Sequence, residues 1–140
     1  MNILTSRLHN VVLAKVCMHP HILIIDDDRV VLSMAEDFLS AAGFKVSTAE
    51  CGVYANHIIY SKTPPSLILM DVMMPLMSGI KKAQLLKQRE KSQQIPIVLI
   101  SSKDELELKK LVAEARADGC LPKPFTADTL VDKVKQFIAA

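Results

Sequence analysis

Reactive side chains follow apolar runs at four places in this chain. Asp26-Asp27-Asp28 follows Ile22–Ile25, and Asp71 follows Leu67–Met70. Ser101-Ser102 follows Ile97–Ile100, and Lys123-Pro124 follows the weaker run Gly119–Leu121. Taken singly, each has a plain explanation. An acid after a strand is often a helix N-cap, and Asp28 fits that role. Ser101 or Ser102 alone would be a cap, and Lys123 alone would be surface charge. Asp71 is harder to dismiss, because an acid at a buried strand end needs a partner. If these segments meet, several carboxylates repel one another, and a hard cation or the ammonium of Lys123 would relieve that repulsion.

Whether they meet depends on the elements that carry them. The apolar runs are continuous rather than alternating, which suits strands buried on both faces of a parallel sheet. A further strand is expected around Phe44–Val46. Helical patterns fill the gaps. Val31, Met34, Ala35, Phe38 and Ala42 make one stripe, stopped by Gly43. Cys51, Ala55, Ile58 and Ile59 make a second, ended by Pro64-Pro65, and a third helix is expected from about Gly79 to Arg89. Leu108, Leu111, Val112 and Ala115 make a fourth, with Ser102-Lys103-Asp104-Glu105 read as its capping box. Leu130, Val131, Val134, Phe137 and Ile138 make the last, with Thr126 as N-cap. Strand and helix thus alternate five times, an α/β pattern with helices on both faces of a parallel sheet. In such sheets ligands bind beyond the carboxyl ends of the strands, where all four reactive segments lie.

Composition narrows the function classes. The 140 residues fit one domain, and an apolar fraction of 50% allows a sizeable core. A net charge of +2 is too small to argue for nucleic acid. The pairs Lys81-Lys82 and Lys109-Lys110 read as solvated helix faces. Three cysteines of unrelated spacing, Cys17, Cys51 and Cys120, suit a reducing cytoplasm rather than a disulfide framework or a zinc site. No apolar run approaches the roughly 20 residues that span a bilayer.

The four segments together resemble the receiver domain of bacterial two-component response regulators. The resemblance rests on Ile22-Leu23-Ile24-Ile25-Asp26-Asp27-Asp28, on Leu69-Met70-Asp71-Val72-Met73-Met74-Pro75-Leu76-Met77-Ser78-Gly79, on Ile95–Ser102 and on Leu121-Pro122-Lys123-Pro124-Phe125. It covers roughly His21 to Ala139. It implies a flavodoxin-like (βα)5 three-layer sandwich with strand order 2-1-3-4-5. It implies that Asp71 accepts a phosphoryl group from a phosphohistidine on a sensor histidine kinase or histidine phosphotransfer protein. Asp26, Asp27, Asp71 and the Met73 backbone carbonyl would hold Mg²⁺. Ser101 would donate its hydroxyl to a phosphoryl oxygen. Lys123 would pair with Asp71 and then with the phosphoryl group, across a cis Lys123–Pro124 bond. Such charge neutralisation suits the transfer of one anionic group to another.

Two departures from the family pattern stand out. Arg116-Ala117 replaces the usual Gly-Ala before the fifth strand, and Cys120 and Leu121 stand where an aromatic residue is usual. In the family that ring turns inward after phosphorylation. Cys120 has no ring, so the response is expected to rest on displacement of the loop Ser101–Glu105, Lys103 included.

Rival readings fare worse. A haloacid-dehalogenase-type phosphatase needs a second acid two residues after its nucleophile, where Met73 stands. A pseudo-receiver, acting only as a protein-binding module, would lack an acid, the acceptor or the lysine. A nucleotide-binding flavodoxin-like protein would not place Asp26-Asp27-Asp28 where phosphate binds. The receiver is expected over residues 18–140, with residues 1–17 as an extension. That extension reads as a loose tail, or alternatively as a short helix with Leu4, Leu8, Val11, Val12 and Val16 on one face. Because the last helix ends the chain, output by docking on a downstream protein or by onward phosphotransfer is expected, with no direct DNA binding and no membrane contact.

Overall fold

The computed structural model describes residues 19–138. The expected extension 1–17 and its apolar stripe lie outside them. The strands are β1 (His21–Ile25), β2 (Lys45–Ala49), β3 (Leu67–Asp71), β4 (Ile97–Ser101) and β5 (Gly119–Pro122). The helices are α1 (Arg29–Ala41), α2 (Gly52–Ile59), α3 (Gly79–Gln88), α4 (Glu105–Ala115) and α5 (Ala127–Phe137). All neighbouring strands run parallel, in the order β2-β1-β3-β4-β5. This is the expected flavodoxin-like arrangement.

The continuous apolar runs are explained by two-sided burial. Every residue of β1, β3 and β4 is buried. Alternate side chains serve opposite faces. Leu23, Ile25, Ile68, Met70, Ile97 and Leu99 join the core shared with α2, α3 and α4. Ile22, Ile24, Leu67, Leu69, Val98 and Ile100 join the core under α1 and α5. The edge strand β2 departs from expectation. It begins after Phe44, whose amide bonds Leu39 O in the turn that ends α1, and it continues through Ser47 and Thr48. An edge strand exposes part of its surface, so polar residues fit where a buried strand would carry none.

Helix starts follow local chemistry. Asp28 caps α1 by accepting from the Val30 and Val31 amides, and Thr126 with Thr129 forms a capping box at α5. The cap of α4 is not Ser102, as its Ser-x-x-Glu pattern suggested. Asp104 takes the role, accepting from the Glu107 amide at 2.8 Å. A carboxylate at that point also suits the helix dipole. The α4 end falls on Arg116, which adopts left-handed backbone (φ 58°) where a glycine would carry no strain.

The Lys81-Lys82 pair is only half solvated. Lys81 is exposed, but Lys82 is 5% exposed and donates to Asn56 Oδ1 across the α2–α3 seam. Residue type pointed to the surface, whereas position in the first turn of α3 points inward. Lys109 and Lys110 are both exposed, as expected. Cys51 and Cys120 are free thiols. No helix among the described residues is long and apolar enough to cross a membrane.

Candidate functional site

The carboxyl ends of β1, β3 and β4 and the turn after β5 converge on one rim. Asp71 is the last residue of β3, and Asp26 follows β1 directly. Both are buried. Asp27 is exposed beside them, and oxygens of Asp26, Asp27 and Asp71 all lie within 4.8 Å of one another. Asp28 turns away to cap α1. The triplet is held in place by its own backbone, since the Asp28 amide donates to Asp26 Oδ1 at 2.9 Å. The Asp26 amide donates to Ala49 O on β2.

Lys123 enters this cluster from β5. Its ammonium donates to Asp26 Oδ2 at 2.6 Å and to Asp71 Oδ1 at 3.2 Å. The Lys123 amide donates to Ser101 O at 2.8 Å, and the Lys123–Pro124 peptide is cis, as expected. Ser101 ends β4, one residue beyond Ile100, the register partner of Asp71. Its buried hydroxyl accepts from the Lys103 amide at 3.1 Å and keeps its own proton for donation.

The charges are unbalanced. Three carboxylates face one ammonium. Burial raises the Asp71 pKa, the neighbouring Asp26 charge raises it further, and Lys123 pulls it down only partly. Burial alone would lower the Lys123 pKa, but hydrogen bonds and charge from Asp26 and Asp71 outweigh it and raise the value. An all-oxygen donor set with one solvent-facing carboxylate fits a hard divalent cation that keeps several waters.

The β3–α3 loop leaves the rim directly after Asp71. Met73 and Leu76 are largely exposed, and Leu76 holds left-handed backbone (φ 72°). Gly79 starts α3 against the acceptor strand, and a Cβ there would lie 2.1 Å from the Asp71 carbonyl oxygen. Only glycine permits that approach. Beside Lys123 a cleft of about 350 Å³ is lined by Val31, Met34, Ser102, Pro124 and Phe125. Met34 belongs to the apolar stripe of α1, yet it is 40% exposed. Its place two turns after the Asp triplet was the available signal.

Comparison with known proteins agrees with this fold. The response regulator receiver domain family matches residues 22–135. The response regulator MprA of Mycobacterium bovis is 34% identical over 121 residues, covering 86% of this chain and 51% of MprA. The chain thus spans about half the length of the curated relatives it matches. A crystal structure of a putative response regulator from Chloroflexus aurantiacus is 32% identical with a TM-score of 0.82, covering 88% of this chain and 100% of that one. The chemotaxis response regulator CheY4 of Vibrio cholerae is 26% identical with a TM-score of 0.80, covering 86% and 100%.

Proposed function

The chain belongs to the response regulator receiver-domain family of two-component systems, and on that premise we propose that Asp71 accepts a phosphoryl group from a phosphohistidine on a sensor histidine kinase or histidine phosphotransfer protein. Receiver domains are signalling modules rather than turnover enzymes. The observation that carries the reading is the double contact of Lys123 with Asp26 and Asp71 inside a cluster of three acids.

Each residue then has a defined task. An Asp71 carboxylate oxygen forms the new bond to phosphorus as the phosphorus–nitrogen bond to the donor imidazole breaks. Lys123 holds Asp71 before transfer and pairs with a phosphoryl oxygen afterwards. Ser101 directs its hydroxyl proton to another phosphoryl oxygen. Asp26, Asp27, Asp71 and the Met73 carbonyl would hold Mg²⁺, which would supply positive charge to offset the repulsion between two anions. The phosphorylated domain signals by docking on a downstream protein or by passing the group onward, in a cytoplasmic setting.

Incubation with acetyl phosphate and Mg²⁺ tests the reading. Intact mass should rise by one phosphate, and Asp71→Asn should abolish the gain. Normal labelling of Asp71→Asn would overturn it.

A further inference from the structure

Lys82 is a lysine where the fold could have used an apolar side chain. It sits in the first turn of α3, 5% exposed, and its ammonium donates to Asn56 Oδ1 on α2. Among the described residues, no carboxylate pairs with it. Its stem lies along the start of α2, where a Cβ on Gly52 would come within 3.2 Å of Lys82 Cδ and 3.3 Å of Cγ. Burial lowers the Lys82 pKa, the nearby Arg89 charge adds to this, and Cys51 opposes it. A buried charge with one neutral acceptor is costly, and apolar packing of equal volume is often more stable. The site therefore gains something other than stability from it.

The same turn of α3 rests on the acceptor strand. The Gly79 amide donates to Val72 O at 2.9 Å, and the Asp71 carbonyl lies so near that a Cβ on Gly79 would come within 2.1 Å of its oxygen. Any sideways slip of α3 is passed to the backbone from Asp71 to Met73. Apolar contact between α2 and α3 would resist separation but not sliding, because it has no direction. A hydrogen bond from Lys82 to Asn56, with the stem laid over Gly52, resists both.

We infer that Lys82 is a positioning residue, fixing α3 against α2 so that the β3–α3 loop presents its backbone to the acidic rim in one geometry. This rests on the reading of that rim as a Mg²⁺ and phosphoryl site. The role lies in holding the loop, and Lys82 itself touches neither cation nor phosphoryl group.

The test separates holding from folding. Lys82→Met with Asn56→Leu removes the ammonium and the amide it would leave unpaired. Its thermal midpoint without Mg²⁺ should equal or exceed that of the unaltered protein. Mg²⁺ affinity, read from amide chemical shifts during MgCl₂ titration, should fall about tenfold, the usual scale for loss of an outer support of a metal site. Asn56→Asp keeps an acceptor for the ammonium and should hold affinity within about twofold of the unaltered protein. Should the double variant fail to fold, Lys82→Gln, too short to span Gly52 and Asn56 together, carries the same expectation for affinity. Unchanged Mg²⁺ affinity in a folded Lys82 variant overturns the inference while the site reading stands. An unaltered protein that takes up no Mg²⁺ overturns both.

Discussion

The Lys123 ammonium lies 2.6 Å from the buried carboxylate of Asp26, a residue 97 positions earlier in the chain. This contact closes the rim from the β5 side. It also joins two elements, β1 and β5, that share no ladder in the sheet.

Removal of Lys123 should therefore be felt in stability as well as in chemistry. Lys123→Met leaves Asp26 buried beside Asp71 with no cation between them. Breaking a buried pair in this way typically costs about 3–5 kcal/mol. Urea denaturation without Mg²⁺ should show a loss on that scale, and added Mg²⁺ should recover part of it by binding the folded state. An unchanged midpoint without Mg²⁺ would contradict the role of the pair.

Asp71 should act in the opposite sense. Its folded-state pKa is raised above the ordinary value of 3.8, by burial first and by Asp26 second. A raised carboxylate pKa means that the folded state binds the proton more tightly than the unfolded state does. The charge therefore destabilises the fold progressively as pH rises from 3.8 through the folded value. Asp71→Asn should raise the thermal midpoint at neutral pH, without Mg²⁺, and the gain should vanish below pH 3.8. A gain that persisted unchanged in acid would not come from this ionisation.

His21 provides a second pH signature at the far end of the sheet. Its Nε2 accepts from the Ser47 hydroxyl at 2.7 Å if Nδ1 carries the proton that faces Thr63 O at 3.3 Å. Burial lowers its pKa below 6.5, although the Thr63 carbonyl opposes this, and Lys45 adds to the lowering. The unfolded state then takes up the proton first. Stability should fall as pH drops from 6.5 towards the folded value. His21→Gln should flatten that part of the urea-midpoint profile between about pH 8 and pH 5. A profile equally steep in the variant would assign the slope to other groups.

The response to phosphorylation should begin at Ser101. Its hydroxyl oxygen accepts from the Lys103 amide, and the Lys103 ammonium pairs with Glu107 in the first turn of α4. Turning the Ser101 hydroxyl towards a phosphoryl group weakens the first contact and frees the loop. Cys120, opposite Leu99 in the register, has no ring to fill space. Amide shifts recorded with beryllofluoride should change most across Ser101–Glu105. Changes centred on Cys120 and α5, with little in that loop, would contradict this.

The rim was legible in the sequence because β1, β3 and β4 are buried on both faces, so each apolar run stops at its polar terminal group. Edge strand β2 was less legible. Phe44 lengthened the apolar run back into the turn, while Ser47 and Thr48 concealed the far half of the strand. Ser102 mimicked a cap because Ser-x-x-Glu matches the pattern at the wrong phase, and only the loop path shows Asp104 at the helix start. Lys82 was hidden by its residue type, since inward direction depends on how α3 sits over Asp71. The coming together of Asp26, Asp71, Ser101 and Lys123 follows from strand order, and that order came from family resemblance rather than periodicity.

Borohydride trapping tests the central claim most directly. An aspartyl phosphate is reduced to homoserine, which marks the acceptor in a peptide map. After acetyl phosphate and Mg²⁺, homoserine should appear at position 71 alone and should be absent when Mg²⁺ is withheld. Homoserine at position 26 or 27, or phosphate recovered on a histidine or serine peptide instead, would contradict the assignment of Asp71.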